Sequence, residues 1–372
     1  MEDEMFFTNA LRKRGRNDLC WCLSGVKYKY CHLNRESKEK IEFGQALHIN
    51  YGIFNDKKCL HPDKENCSGK RIRAHTIQRN GGLKKITDTS NHVLRIARNP
   101  MGENDPEQIG WKNASTFYGF CEKHDGSTFA PLETTPFSGS KEQCFLLYYR
   151  ALCYEHYNKE ALVEIFKTHK MSIDNGFSLE RQIRVQQELN HYISEFGRTV
   201  QELKAEKEIA DSYLLQNVFS NYAHLIIYFS GTLDLVTSSH FHLSYDLLGN
   251  QIYNLSDKSV FAEGASFSIF DIEENRGAVI VSWNKNYKYV NAFIDGLLEI
   301  KPNIQLNILH QLMFAQSENV FFSFDWWSCL SDDKKEFINH LSYNTGENYA
   351  CELRSETCLH NWTFESMQKV NV

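Results

Sequence analysis

Apolar side chains fall at helical spacing in the middle of the chain. Cys144, Leu147, Tyr148, Ala151, Leu152, Tyr154 and Leu162 trace one face of a helix that Ser140 is placed to cap and that runs to about Lys170. A longer helix is predicted over residues 178–216, where Ile183, Leu189, Ile193, Phe196, Val200 and Leu203 form a single apolar stripe on a highly charged background. A helix of that length either packs as an antiparallel hairpin against the one before it or mediates a homo-oligomer. The period then changes to that of strands, over residues 224–236, 241–255 with a turn at Leu248-Gly249-Asn250, 265–272, and 278–283 around Asn275-Arg276-Gly277. Helical patterns return over 287–298, 304–315 and 334–341. These readings give a helical hairpin at 138–216 and one α+β domain with a small antiparallel sheet at 217–372.

The N-terminal third has no comparable periodicity. Residues 35–46 read as a polar connector, the next ordered unit starts near His48, and residues 57–133 are loop-rich, with Gly, Asn, Asp and Pro recurring. Such stretches need a staple to be compact. In residues 15–33 the staple is evident, because Cys20, Cys22, Cys31 and His32 crowd together with Ser24 and Gly25 at a turn between them. A segment this short buries no core of its own, and tetrahedral zinc on three thiolates and an imidazole supplies the order instead, with binding free energies of roughly 10–16 kcal/mol for such sites.

Gly15, Arg16, Asn17, Asp18, Cys20, Cys22, Ser24, Gly25, Lys27, Tyr28, Lys29, Cys31 and His32 together resemble the SEC-C motif, a small zinc module found at the C-terminus of the preprotein-translocase motor ATPase and in many unrelated bacterial proteins. Leu19 and Trp21 stand where that pattern usually has proline, and Leu23 and Val26 where it has glycine and lysine. The ligands are intact. The resemblance covers residues 15–33 of a knuckle placed at 12–34 and implies a zinc-stabilised docking module for a protein partner, the ribosome or nucleic acid, with no catalysis. The apolar substitutions at Leu19, Trp21 and Leu23 offer a contact patch beside the basic run from Arg12 to Arg16.

A second zinc module is expected over residues 48–137. Cys59 and Cys67 form one pair, and Cys121 and His124, spaced Cys-x2-His, form another, with His61, His75 and His92 nearby. Two separated pairs converging on one ion follow the logic of a treble clef. Between them Ala74-His75, after the β-like Arg71-Ile72-Arg73, resembles the first-histidine segment of HNH nucleases. That resemblance implies His75 as general base, with Asp125 and Asn113 or His92 helping to hold Mg2+ or Mn2+ at a scissile phosphate. The competing reading makes His75 a buried histidine bonded to backbone, or a replacement zinc ligand.

Composition changes this picture in two ways. Net charge is −6, but residues 1–100 carry 20 Lys+Arg against 11 Asp+Glu, a balance of +9, and the remainder carries 21 against 36, a balance of −15. The basic part is the part with the ligands, so DNA or RNA is an expected partner there, against the plain reading of a solvated basic surface. Of 11 cysteines, six lie close to histidines, which favours a reducing, cytoplasmic setting over disulfides. No apolar run follows the basic N-terminal segment and none approaches a membrane span, so neither a signal peptide nor a membrane partner is expected. Glycine-rich phosphate loops, GxSxG elbows and kinase signatures are absent from the sequence.

Weaker features complete the inventory. His240 and His242 flank Phe241 on one strand face, so a metal there is conceivable, but the sequence offers no evident third ligand and a structural role is favoured. Glu155-His156 is expected to face solvent, Trp326-Trp327 to be core, and Cys144, Cys153, Cys329, Cys351 and Cys358 to be buried thiols. The reading is an α+β protein with two zinc ions, acting as an adaptor or sensor; the alternative is an HNH-like nuclease steered by the knuckle. The company such modules keep implies a role in defence against phage.

Overall fold

A computed structural model describes residues 2–77, 82–96, 106–254, 259–343 and 353–371. The chain is α+β and divides into two compact units, residues 1–57 with 156–205 and residues 58–155 with 206–372. Among the described residues no helix is long and apolar enough to cross a membrane.

The first unit holds α1 (Glu2–Leu11), the knuckle, α2 (Phe43–Phe54), and parts of the long helices introduced below. Its small core joins Ala10, Trp21 and Ile183 to the three knuckle cysteines, with Phe6, Val26, Tyr28 and Leu179 packed around them. Trp21 is therefore not part of a contact patch. It is 2% exposed and lies between Phe6, 5.9 Å away by ring centroid, and His32, 4.3 Å away. An indole buries too much apolar area to stay outside when a pocket beside the buried cysteines is available.

The second unit contains the strands. β1 (Arg71–His75), β2 (His92–Ile96), β3 (Pro106–Gly110) and β4 (Thr116–Cys121) all fall in the stretch expected to be loop-rich. Their side chains are mostly half-buried, so they lack the strict alternation that marks a strand in sequence. β1 pairs antiparallel with β4, and the chain then enters α3 (Glu122–Thr128) and the short α4 (Ala130–Glu133).

The two long helices follow as α5 (Lys141–Lys170) and α6 (Leu179–Gln216). They pack on each other: Phe166 stacks on Tyr192 at 5.3 Å within the first unit, and Tyr149 donates to Asp211 at 2.7 Å within the second. His156, expected in solvent, is buried on α5.

β5 (Tyr222–Ser230), β6 (Leu235–His242), β7 (Gly264–Glu273) and β8 (Arg276–Asn284) form the centre of an eight-stranded antiparallel sheet, completed by β9 (Val320–Phe322), β10 (Thr363–Val370), β2 and β3 in the order β10-β5-β8-β7-β6-β9-β2-β3. The sheet is larger than the small one expected, and it takes strands from blocks read as separate. The strand predicted over 224–236 breaks at Gly231, whose φ of +132° suits glycine and whose missing side chain leaves room for the Asn361 carbonyl, 2.7 Å from where a Cβ would stand. The second predicted strand lies earlier than expected, at β6, and its terminal Leu255 falls outside the described residues.

Side chains alternate across the sheet. Ala223, Leu225, Ile227 and Phe229 of β5, with Val279, Val281 and Trp283 of β8, pack against α7 (Lys288–Glu299), α8 (Pro302–Gln316) and α10 (Asp332–Tyr343). The opposite face is polar yet buried, presenting His224, His240, Ser266 and Ser282. There the first half of α5 covers it, Tyr148 meeting Tyr222 at 4.7 Å and His240 at 5.5 Å. α9 (Phe324–Cys329) places Trp326 in the core as expected. Cys144 and Cys153 are buried, whereas Cys329 and Cys358 are exposed; Cys351 lies outside the described residues.

Candidate metal centres

In the knuckle, backbone bonds close the loop before any metal is considered. Cys20 N donates to the Val26 carbonyl at 2.9 Å and Tyr28 N to Asp18 at 2.8 Å, which brings the Cys20-Cys22 arm back over the 3-10 turn at Tyr28–Tyr30. The donor atoms then converge. Cys20 Sγ lies 3.2 Å and Cys31 Sγ 3.1 Å from His32 Nδ1, and Cys22 Sγ is 3.5 Å from Cys31 Sγ. All four side chains are buried and their ligand atoms lie within 4.8 Å of one another, as donors around a tetrahedral zinc require.

Hydrogen bonds among the crowded thiols push Cys20 up and pull Cys22 down. Burial works against charging His32, yet the Asp174 carboxylate and the neighbouring sulfurs raise it to about 10.

Asp174 is what the sequence reasoning missed. Its Oδ2 lies 3.1 Å from His32 Nε2, the arrangement in which a carboxylate fixes the tautomer and orientation of a ligating histidine. Arg35, fully buried, donates to Asp174 Oδ1 at 2.6 Å and to the carbonyls of Cys31 and Met171 at 3.2 and 2.5 Å. Gln186 donates to Asp174 at 3.0 Å. The partner sits 142 positions from the ligand, in the α5–α6 connection, where spacing carries no signal.

The second cluster is built on β4 and α3. Arg71 faces Cys121 in the β1–β4 register, and Cys121 ends the strand and caps α3, its sulfur accepting the His124 N–H at 3.5 Å. Cys59 is laid beside them because Lys58 N and Leu60 N donate to the carbonyls of Tyr118 and Gly119 at 3.0 and 2.8 Å. Around His124 Nδ1 the sulfurs of Cys59, Cys67 and Cys121 stand at 3.5, 3.6 and 3.4 Å. Burial would raise the Cys121 thiol, but hydrogen bonds from Ser68 and the His124 backbone lower it to about 6, a thiolate at neutral pH. Burial, with Cys59, pushes Cys67 up to about 11. His61 stands beside this group of four; it stacks on His124 at 3.9 Å, and burial together with His124 lowers it to about 4. Both clusters carry the donors and spacing of a zinc site.

The residues assigned to nuclease chemistry are not brought into one group. His75 pairs with Thr116 at the opposite end of the β1–β4 strand pair from Cys121, some 13 Å along the strand at ~3.3 Å per residue. Asp125 follows His124 on α3, where burial raises its carboxyl against the nearby Arg150 charge. Asn113 lies toward the His75 end: it is exposed, its Oδ1 takes Arg73 Nη1 at 2.5 Å, and its carbonyl takes Thr116 Oγ1 at 2.8 Å. His92 is half-buried in the same neighbourhood, since a Cβ on Gly110 would stand 3.9 Å from both His92 Nε2 and Asn113 Nδ2.

Residues 16–34 match the family model of the SEC-C motif. No curated protein and no solved structure matches the chain.

Proposed function

We propose that the chain is a zinc-held docking protein that presents its knuckle to a large protein–nucleic acid assembly, of which the ribosome is the type case. The supporting observation is the knuckle's outer surface. Leu19 and Leu23 are each 65% exposed and Tyr30 69% exposed, with Arg12, Lys13, Arg16 and Lys27 exposed among them. Exposed apolar side chains in a segment that also exposes several cations suit an interaction surface, with the cations adding affinity for phosphate. In the same unit α2 leaves Phe43, Leu47 and Tyr51, at i, i+4 and i+8, open to solvent.

Co-sedimentation with ribosomes and gel shifts with RNA and DNA, at two salt concentrations, test the reading. Wild type is expected to be retained. Leu19→Ser combined with Leu23→Asn should weaken binding about tenfold, or ~1.4 kcal/mol. Asparagine is chosen because Leu23 sits at φ +62°. Arg16→Glu with Lys27→Glu should flatten the salt dependence. Failure of wild type to bind any of these partners would overturn the proposal.

A second reading, an HNH-like nuclease, rests on the antiparallel β1–β4 pair running into α3 with a cysteine–histidine cluster at the junction. On this geometry His75 is the candidate base, with Asn113 and His92 as metal-side partners, and Asp125 is set aside. Incubating DNA and RNA with Mg2+ or Mn2+ should then give cleavage that His75→Ala abolishes; absence of cleavage by wild type ends this reading.

A further inference from the structure

The polar buried face of the large sheet contains a third convergence of ligand-type side chains. His240 and His242 sit two apart on β6 and so point to the same side. The covering helix α6 brings Glu206 down onto them, and the ligand atoms of the three residues lie within 4.8 Å of one another. We propose that Glu206, His240 and His242 form a binding site for a divalent first-row transition-metal ion, separate from the two cysteine–histidine clusters and chemically unlike them.

Geometry carries the argument. Glu206 Oε2 lies 3.1 Å from His240 Nε2, while Oε1 accepts the Tyr148 hydroxyl at 2.6 Å. One carboxylate oxygen is thus held by the phenol and the other is turned to the imidazoles. Donors on a tetrahedral ion at ~2.1 Å stand about 3.4 Å apart, close to the spacing already present between Glu206 and His240. The two imidazole planes cross at 84° with centroids 6.3 Å apart, so the rings do not stack and their nitrogens converge from different directions.

Space at the point of convergence is kept by Gly264, which pairs with His242 across the β6–β7 ladder. A Cβ there would stand 2.3 Å from His240 Nε2 and 3.1 Å from Glu206 Oε2. Any side chain at 264 would fill the position the donors surround.

The donor set separates this from an ordinary buried ion pair: two imidazoles meet one carboxylate, and a metal with three protein ligands uses all three. Burial alone would raise the Glu206 carboxyl, but the His240 and His242 rings and the Tyr148 hydroxyl hold it below its usual value. Two imidazoles and a carboxylate, without sulfur, suit borderline divalent ions, and three ligands leave at least one coordination position for water or substrate. His242 is half-buried while Glu206 and His240 are enclosed, so the site is approached from the His242 side.

The test uses the full chain with its cysteine–histidine sites already filled with zinc. Titration with Co2+ should show uptake of one equivalent with weak d–d absorption and no thiolate-to-cobalt charge transfer, because the new site has no sulfur. His242→Ala and Glu206→Gln should each abolish that uptake while retaining the zinc of the cysteine sites. Glu206→Gln keeps the acceptor for Tyr148, so it tests the metal with least disturbance to packing. The proposal is overturned if wild type binds cobalt only with a thiolate signature, if it binds none, or if both variants bind as wild type does. Should either variant lose its cooperative melt, the wild-type titration decides alone.

Discussion

Replacing Cys31 by serine is expected to strip the knuckle of its zinc and to open residues 12–34 to protease, while the second cluster keeps its metal. Serine matches the shape of cysteine, but its hydroxyl stays protonated at neutral pH and is a poor zinc ligand. If a site of this type contributes roughly 10–16 kcal/mol, an even share per ligand is about 3 kcal/mol, more than a hundredfold in affinity. Little else is available to hold the segment. Its core is Trp21 against Phe6, Ala10 and Ile183, and that core counts the ligand cysteines among its own members. Zinc content measured on the purified chain should fall by one equivalent, and limited proteolysis should cut inside the knuckle first. Unchanged zinc content, or cleavage spread evenly along the chain, would contradict the assignment.

That first unit also shows what sequence could and could not convey. Cys20, Cys22, Cys31 and His32 are legible because a chelate built from near neighbours writes its chemistry as spacing, and the same holds for Cys121 and His124 at a helix start. Cys59 and Cys67 were legible as a pair of thiols needing partners. Asp174 was not, because a carboxylate reaching His32 from 142 positions away is indistinguishable from any other surface aspartate. Glu206 was hidden in the same way, 34 positions before His240 and on a helix whose many charges read as a solvated face. Trp21 was misplaced because a short metal module is expected to expose what it cannot bury, and here α1 and α6 supply the missing walls through Phe6 and Ile183. The long helices and β5, β7 and β8 were visible because each buries enough apolar area to impose its own period, whereas β6 was caught only at its two ends because its centre, Thr237 to His240, is polar though buried. β10 was not: it is an edge strand pairing with β5 alone, and its exposed residues follow no alternation.

Asp174→Ala is expected to be the most damaging substitution that leaves every metal ligand in place. The carboxylate is fully buried and is shared by Arg35, His32 and Gln186. Without it His32 loses the hydrogen bond that orients its ring, a change that typically costs about 10–100-fold in metal affinity. Arg35 is left as a buried cation without its carboxylate, held only by backbone carbonyls, the Cys31 sulfur and the His32 ring, and breaking a buried pair of this kind costs about 3–5 kcal/mol. The two losses have different signatures in pH. Burial would raise the Asp174 carboxyl, but His32 and Arg35 hold it below its ordinary value. Its contribution is therefore present above the unfolded value near ~3.9 and is lost as pH falls through the lower folded value. The stability gap between wild type and Asp174→Ala, read by guanidinium unfolding, should be full at pH 7 and close in acid. Asp174→Asn should recover part of the stability, because its side-chain oxygen still accepts from Arg35, but less of the zinc affinity, because an amide polarises His32 weakly. Should Asp174→Ala bind zinc as tightly as wild type while losing stability, Asp174 would serve only to neutralise Arg35, and His32 would be oriented by the fold alone.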